Sequence, residues 1–474
     1  MVSPGAPGKG ASALTTDCEP SEPDREPDAS GFRRALGPFD ATMVVVGGII
    51  GAGIFINPYI VAQRLDSPGW VLTAWIAGGL IAMAGALTFA ELGVVMPRAG
   101  GHYAYIREAF HPLLGFLYGW ALLFMIETGA IAAVSVTFAE YTLRLVGNAG
   151  AQARPLAVAA ILVVGGINAL GVKPGSRVLN LFVVLKVLAL ALLIGMGFLI
   201  PVADVVGEVG SPGQPDAGGA GGVALWAFGA ALIPVMFSFG GWQNANYVAE
   251  EIRDPRRNLP RSLILGTALV VVIYVFVNWV YLRTLGHGGL AGTLTPAGDT
   301  AQRLVGDWGD RFLALTISIS TFGFLNLTML APTRVYYAMA RDGVFLASVS
   351  RLHPRFRSPT RAIYLQTVLA LVLVFWKDYA QLVDYVVFAD WIFFGLAGAS
   401  LFVFRKRIPL SARPPGTFRA PGYPVVPGLF VAVALLIVLS SFWSDPLGSL
   451  VGVLLLCTGV PAFIYWKKRY AKEC

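Results

Sequence analysis

The stretch Gly47-Gly48-Ile49-Ile50-Gly51-Ala52-Gly53-Ile54-Phe55 lies inside an apolar segment long enough to cross a bilayer, and Phe237-Ser238-Phe239-Gly240-Gly241-Trp242 lies inside another. Glycine loses the most backbone entropy on entering a helix and tolerates any φ. The four glycines within residues 47–53 therefore oppose an uninterrupted helix. A helix broken in mid-bilayer frees N–H and C=O groups that lipid cannot satisfy. Such breaks persist where they line a cavity and a polar ligand takes up the freed groups. The pair predicts a carrier for a small polar solute. Close helix packing through small residues, which Gly47 and Gly51 would permit, competes for either cluster alone but accounts less well for two clusters in equivalent spans.

The break carries a chemical preference. An outer half-helix starting near Gly53 presents free N–H groups and a positive dipole end, which suit a carboxylate. An inner half-helix ending near Ile49 presents free carbonyls, which suit an ammonium group or a cation, and the carbonyls of Phe237 and Gly240 would face the same cavity. A free amino acid, with adjacent carboxylate and ammonium groups, satisfies both sets.

Composition agrees with a polytopic membrane protein. The 474 residues are 56% hydrophobic and 13% charged, where a soluble domain carries about a quarter charged residues. Residues 1–36, rich in Pro, Ser, Asp and Glu, read as a disordered cytoplasmic tail without the pattern of a cleaved signal peptide. The cysteines Cys18, Cys457 and Cys474 support neither a disulfide framework nor a zinc site. The formal charge of +8 reflects basic residues in short loops that set topology, and nucleic-acid binding is not expected.

Twelve candidate spans follow: 40–64, 70–96, 112–146, 155–171, 176–201, 225–250, 260–283, 312–340, 361–376, 380–404, 423–443 and 447–466. With the N-terminus inside, 26 of the 35 Lys and Arg residues fall on the cytoplasmic side and seven on the other, so both termini are expected in the cytoplasm. The glycine breaks fall in spans one and six. Five spans separate equivalent points, so the second half enters the membrane from the opposite side, the condition for an inverted repeat with a mid-membrane site. The expected organisation is a first five-helix repeat over 37–201, an outer loop over 202–224, a second repeat over 225–404, a cytoplasmic loop over 405–422, and two C-terminal helices with a tail over 423–474.

The chain resembles the amino acid–polyamine–organocation superfamily of permeases, in the region of the L-type amino acid transporters and their bacterial relatives. The resemblance rests on Gly51-Ala52-Gly53-Ile54-Phe55, Phe89-Ala90-Glu91-Leu92, Pro97-Arg98-Ala99-Gly100-Gly101, the second glycine break, Glu250-Glu251-Ile252-Arg253-Asp254-Pro255, Asn258-Leu259-Pro260, Ser320-Thr321-Phe322-Gly323 and the run from Arg334 to Gly343. It implies an all-α membrane protein with a 5+5 inverted repeat of the leucine-transporter type, two further helices, and alternating access. It implies that the substrate carboxylate meets the backbone at Ala52 and Gly53, with Gly51 beside them, and that the ammonium meets carbonyls of Ile49, Phe237 and Gly240. Phe237 would be the aromatic gate and Phe239 its neighbour. Ala52 and Gly48 depart from the residues relatives often carry there, a serine and a larger side chain.

Lys186 sits near the middle of the fifth span, where a lysine costs about 2.5–3.5 kcal/mol and needs a partner or a water path. Both ends of the span are beyond comfortable snorkelling reach. The resemblance places such a lysine in the position of a bound sodium, against the broken first helix; transport would be sodium-independent, and the lysine's proton is a candidate coupling ion. Glu127 in span three is a candidate cavity residue favouring cationic or polar side chains or carrying a proton, with a carboxyl hydrogen-bonded within the bundle as the alternative. Glu91, Asp384 and Asp390 are expected as interfacial or structural polar groups, and Arg334 as a snorkelling residue. The four histidines form no metal spacing, and no phosphate loop or catalytic set appears.

The expected function is secondary amino acid transport, as an exchanger or a proton-coupled carrier, with no cofactor. A polyamine or organic-amine carrier is the alternative within the class. A polytopic enzyme on lipid-linked substrates is the alternative outside it. L-type mammalian relatives attach to a glycoprotein through a cysteine after span three; the loop 147–154 has none, so no disulfide-linked heavy subunit is expected. The alanine- and glycine-rich composition suits a bacterial inner membrane.

Overall fold

The computed structural model describes residues 36–96, 100–148, 150–170, 176–201, 222–330, 332–346, 348–349, 353, 359–409, 413 and 416–473. Among these every regular element is a helix. Eight helices are long and apolar enough to cross a membrane: Pro68–Val95, Pro112–Leu145, Asn180–Leu199, Pro255–Ala291, Asp307–Met329, Tyr379–Arg407, Val425–Ser444 and Pro446–Arg469. Four shorter apolar helices accompany them: Pro38–Ile49, Arg154–Ala169, Trp226–Phe239 and Thr360–Trp376. Prolines open many of them, among them Pro38, Pro68, Pro112 and Pro255, where the missing N–H and fixed φ are harmless.

Three expected spans are interrupted. The first is Pro38–Ile49, then Gly53–Ile56 and Pro58–Arg64. The sixth runs from Gly222 to Phe239, stops, and resumes as Asn244–Tyr247. The expected continuous span 312–340 is corrected: the helix from Asp307 ends at Leu330 and a new one starts at Thr333, with Pro332 between them. Pro332 carries no N–H and crowds the preceding turn, which ends the helix. A fourth irregularity is the π-helical turn Leu122–Ile126 in span three. Two short helices lie in expected loops, His102–Ala109 and Pro296–Val305.

Helix 68–95 packs along 255–291, helix 127–145 along 307–330, and helix 154–169 along 360–376. At one end, Arg64 meets Asp384 at 2.9 Å, and Arg144 meets Asp299 at 2.6 Å and Asp310 at 2.5 Å. At the other, the buried Glu91 carboxylate accepts from Arg405 at 2.5 Å, Arg413 at 2.7 Å and the Ala420 N–H at 2.7 Å. Glu91 and Asp384 are thus structural polar groups, as expected. The tail with Cys18, Pro97-Arg98-Ala99, residues 202–221 and the Arg334 side chain lie outside the described residues.

Candidate functional site

The two breaks meet main chain to main chain. A Cβ built on Gly48 would lie 2.5 Å from the Gly241 carbonyl oxygen, and one on Gly241 would lie 2.0 Å from the Gly48 carbonyl oxygen. Gly241 also has φ of 107°, a conformation open to glycine and strained for other residues. A Cβ on Gly53 would lie 2.6 Å from Ser238 Cα. The glycine density therefore has two causes: the backbone must turn, and two backbones must touch.

Proline explains how the second broken helix is tied to the first. Pro234 cannot donate to the carbonyl one turn earlier, and that Ala230 carbonyl accepts from Arg64 at 2.7 Å. Asn57 joins the set: its Nδ2 donates to the Pro234 carbonyl at 2.7 Å and to Ser238 Oγ at 2.8 Å, while its Oδ1 accepts from Tyr379 at 3.0 Å. Tyr274 spans both breaks, donating to the Ile49 carbonyl at 3.0 Å and the Ser238 carbonyl at 3.2 Å.

Between the breaks lies a cavity of about 730 Å³, counting the space that opens to solvent. Ile49, Gly51, Ala52, Gly53, Phe237, Gly240 and Glu127 all line it. The Ala52 and Gly53 N–H groups have no backbone acceptor among the described residues. The Ile49 carbonyl, expected to be free, accepts from Tyr274 and from the Gly51 N–H at 2.7 Å. The Phe237 carbonyl accepts from the Gly240 N–H at 3.3 Å, leaving room for a second donor.

Phe239 is a correction: it does not line this cavity but is buried against Trp75 and Tyr274, with ring centroids 5.9 and 5.0 Å away. Two residues along a helix is a turn of about 200°, so Phe237 and Phe239 face opposite ways. Asp390 is the second correction. It sits well inside the helix Tyr379–Arg407 and lines the cavity with Glu127 and Trp391. Glu127 is brought there directly after the π-helical turn, an irregularity that recurs at functional sites.

Lys186 lines a second cavity of about 590 Å³ with Asp40, Asn180 and Ser320. The lysine is 3% exposed. Its Nζ donates to the Ile50 carbonyl at 2.6 Å and lies 5.6 Å from the Phe324 ring centre. Asp40 accepts from the Gly37 N–H at 2.9 Å and from Asn180 at 2.6 Å. Phe324 and Leu327 border both cavities.

Beneath the site, His102 is fully buried between aromatic rings, stacked on Tyr118 at 5.4 Å, and neither ring nitrogen has a partner among the described residues. Burial lowers its pKa to about 3, so it is neutral. The Tyr118 and Tyr247 hydroxyls are hydrogen-bonded to each other. Among the described residues no group of His, Cys, Asp and Glu could hold a metal ion.

Sequence reading missed Asn57, Tyr274, Gln243, Asn244 and Phe324. A polar residue beside Pro58 within an apolar span was a signal for Asn57. Tyr274, more than 30 residues past the second break in a separate helix, carried no local signal.

Comparison with known proteins agrees with this architecture. Residues 36–463 match the model of the family described as amino acid permease. The chain is 31% identical over 472 residues to the human (Homo sapiens) large neutral amino acids transporter small subunit 2, covering 94% of this chain and 85% of that protein. It is 29% identical over 453 residues to the Asc-type amino acid transporter 1 of Mus musculus, covering 92% and 82%. It is 31% identical over 434 residues to the Homo sapiens cystine/glutamate transporter, covering 90% and 84%.

Proposed function

Because the chain belongs to the amino acid permease family, we propose that the cavity between its two broken helices is the transport site for a free amino acid. Membership makes the protein a multi-pass membrane amino acid transporter and not an enzyme. The finer reading is a sodium-independent secondary carrier, an exchanger or proton-coupled, working by alternating access. The observation that carries it is the pair of unengaged N–H groups at Ala52 and Gly53 facing the same cavity as the Phe237 and Gly240 backbone. The N–H groups suit a carboxylate and the carbonyls an ammonium. An amine without a carboxylate would leave the N–H groups unanswered, which disfavours a simple polyamine.

The same reading takes the eight long and four short apolar helices as twelve spans, with residues 37–201 and 225–404 as inverted repeats and both termini in the cytoplasm of a bacterial inner membrane. Packing supports the repeat: helices two, three and four each lie along the helix five spans later, an arrangement that a two-fold axis running between such mates in the membrane plane produces. Phe237 is the gate, and Lys186, bonded to the Ile50 carbonyl, takes the place of a sodium ion. No disulfide-linked subunit is part of this reading.

The test is reconstitution in liposomes preloaded with unlabelled amino acids, followed by uptake of each labelled amino acid with and without sodium and a pH gradient. Accelerated uptake that persists when choline replaces sodium is expected. Absence of uptake for every amino acid would overturn the assignment of the cavity, and collapse in choline would overturn the role of Lys186.

A further inference from the structure

We propose that Glu127 and Asp390 form the side-chain subsite of this cavity, and that the amino acid it carries has a cationic side chain. The inference rests on the assignment of the cavity as the transport site.

The two carboxylates come from different helices that pack together, Glu127–Leu145 and Tyr379–Arg407, and both line the cavity. Neither makes a hydrogen bond or ion pair with any described residue. Glu91, Asp384 and Asp310, by contrast, each hold an arginine. The cavity lining contains two acids and no Lys, Arg or His. Carboxyl groups in a water-poor cavity need hydrogen-bond partners, and a counter-charge whenever they ionise; the lining holds no cation. A zwitterion with a neutral side chain brings no net charge. An amino acid with a side-chain ammonium or guanidinium brings one positive charge and several donors to oxygens that have none.

A second observation points to the same ligand from its other end. Gln243 lines the cavity and is 8% exposed. Its Oε1 accepts from the Gly241 N–H at 2.8 Å, while its Nε2 has no acceptor among the described residues. With the N–H groups of Ala52 and Gly53, the breaks offer donors without acceptors, and the Glu127–Asp390 wall offers acceptors without donors. A molecule with a carboxylate at one end and a cation at the other answers both.

Lysine and norleucine differ by the terminal amine, so they isolate this wall. In preloaded liposomes, wild-type protein should take up lysine over norleucine by about 100-fold, as expected where buried acceptors reject a ligand that lacks the donor. Glu127→Gln and Asp390→Asn should each cut the lysine-to-norleucine ratio by at least about tenfold. If wild-type protein prefers norleucine, or if both variants lower the two substrates in equal proportion, the subsite assignment is wrong while the transport site stands. If no amino acid enters at all, the cavity assignment itself fails. Because wild-type selectivity is read without any variant, a variant that does not fold leaves the test intact.

Discussion

The two cavities share Phe324 and Leu327 as a wall yet treat charge in opposite ways. In the second, the polar ends find hydrogen-bond partners within the chain: Lys186 donates to the Ile50 carbonyl, and Asp40 accepts from Gly37 and Asn180. In the first, Glu127 and Asp390 line the cavity without a partner among the described residues. Groups satisfied by the chain belong to the scaffold; groups left unsatisfied in a cavity wait for a ligand. Construction differs as well. The first cavity is framed by main chain meeting main chain at glycines, whereas the second is framed by side chains.

The largest expected effect comes from one methyl group in the first cavity. Gly241→Ala places a carbon 2.0 Å from the Gly48 carbonyl oxygen, at a φ of 107°. Overpacking costs about 1–3 kcal/mol and the backbone conformation about 1–2 kcal/mol more. Uptake should fall by at least about 100-fold, with a lower melting temperature in detergent. Near-normal uptake would show that the breaks do not need their main-chain contact.

Next in size is Lys186→Met, which strips the second cavity of the amine that holds the broken helix. Leaving one partner of a buried hydrogen bond unsatisfied costs about 1–3 kcal/mol, which corresponds to roughly 5- to 150-fold in the equilibrium between carrier conformations. Uptake should drop within that range for lysine and norleucine alike, because the lysine lies outside the substrate cavity. A drop confined to one substrate would place Lys186 in substrate recognition and dissolve the contrast between the cavities.

Smaller still is Tyr274→Phe, which removes the hydroxyl shared by the Ile49 and Ser238 carbonyls. The loss is about 1 kcal/mol, near fivefold in uptake. If Tyr274 competes with the substrate ammonium for the Ile49 carbonyl, the variant will instead lower the KM. The sign of the KM change therefore tells whether that carbonyl belongs to the scaffold or to the ligand.

These effects mark what the sequence could and could not say. The break at 49–53 was legible because backbone conformation is a local property of glycine, and the observed helix ends at Ile49 and restarts at Gly53. Pro332 is an equally local signal for the break after Leu330. The π-helical turn that delivers Glu127 contains only Leu, Phe, Met and Ile, and nothing in those residues forecasts it. Asp390 lies mid-helix, and the face it presents to the cavity is set by how Tyr379–Arg407 packs, not by its sequence neighbours. The partners of Asn57 and Tyr274 are set by tertiary packing, which a linear pattern does not carry.

His102 is a third case, fully buried with both ring nitrogens unpartnered among the described residues. Burial lowers its pKa to about 3, below the usual value near 6.5. Between those values the unfolded chain binds a proton that the folded chain does not. Its contribution to stability is therefore complete above about pH 6.5 and is lost as pH falls toward 3, by up to about 1.4 kcal/mol per unit. Lowering the pH from 7.5 to 5.0 should cost about 2 kcal/mol through this group, roughly 2–4 °C of melting temperature. His102→Phe keeps a ring against Phe89, Tyr118 and Phe394 and removes the proton site. Other titrating groups act on both proteins alike, so the variant should lose about that much less on acidification. Equal losses would mean that the imidazole finds a partner or water when charged, and that an unanswered polar group need not stay neutral in this bundle.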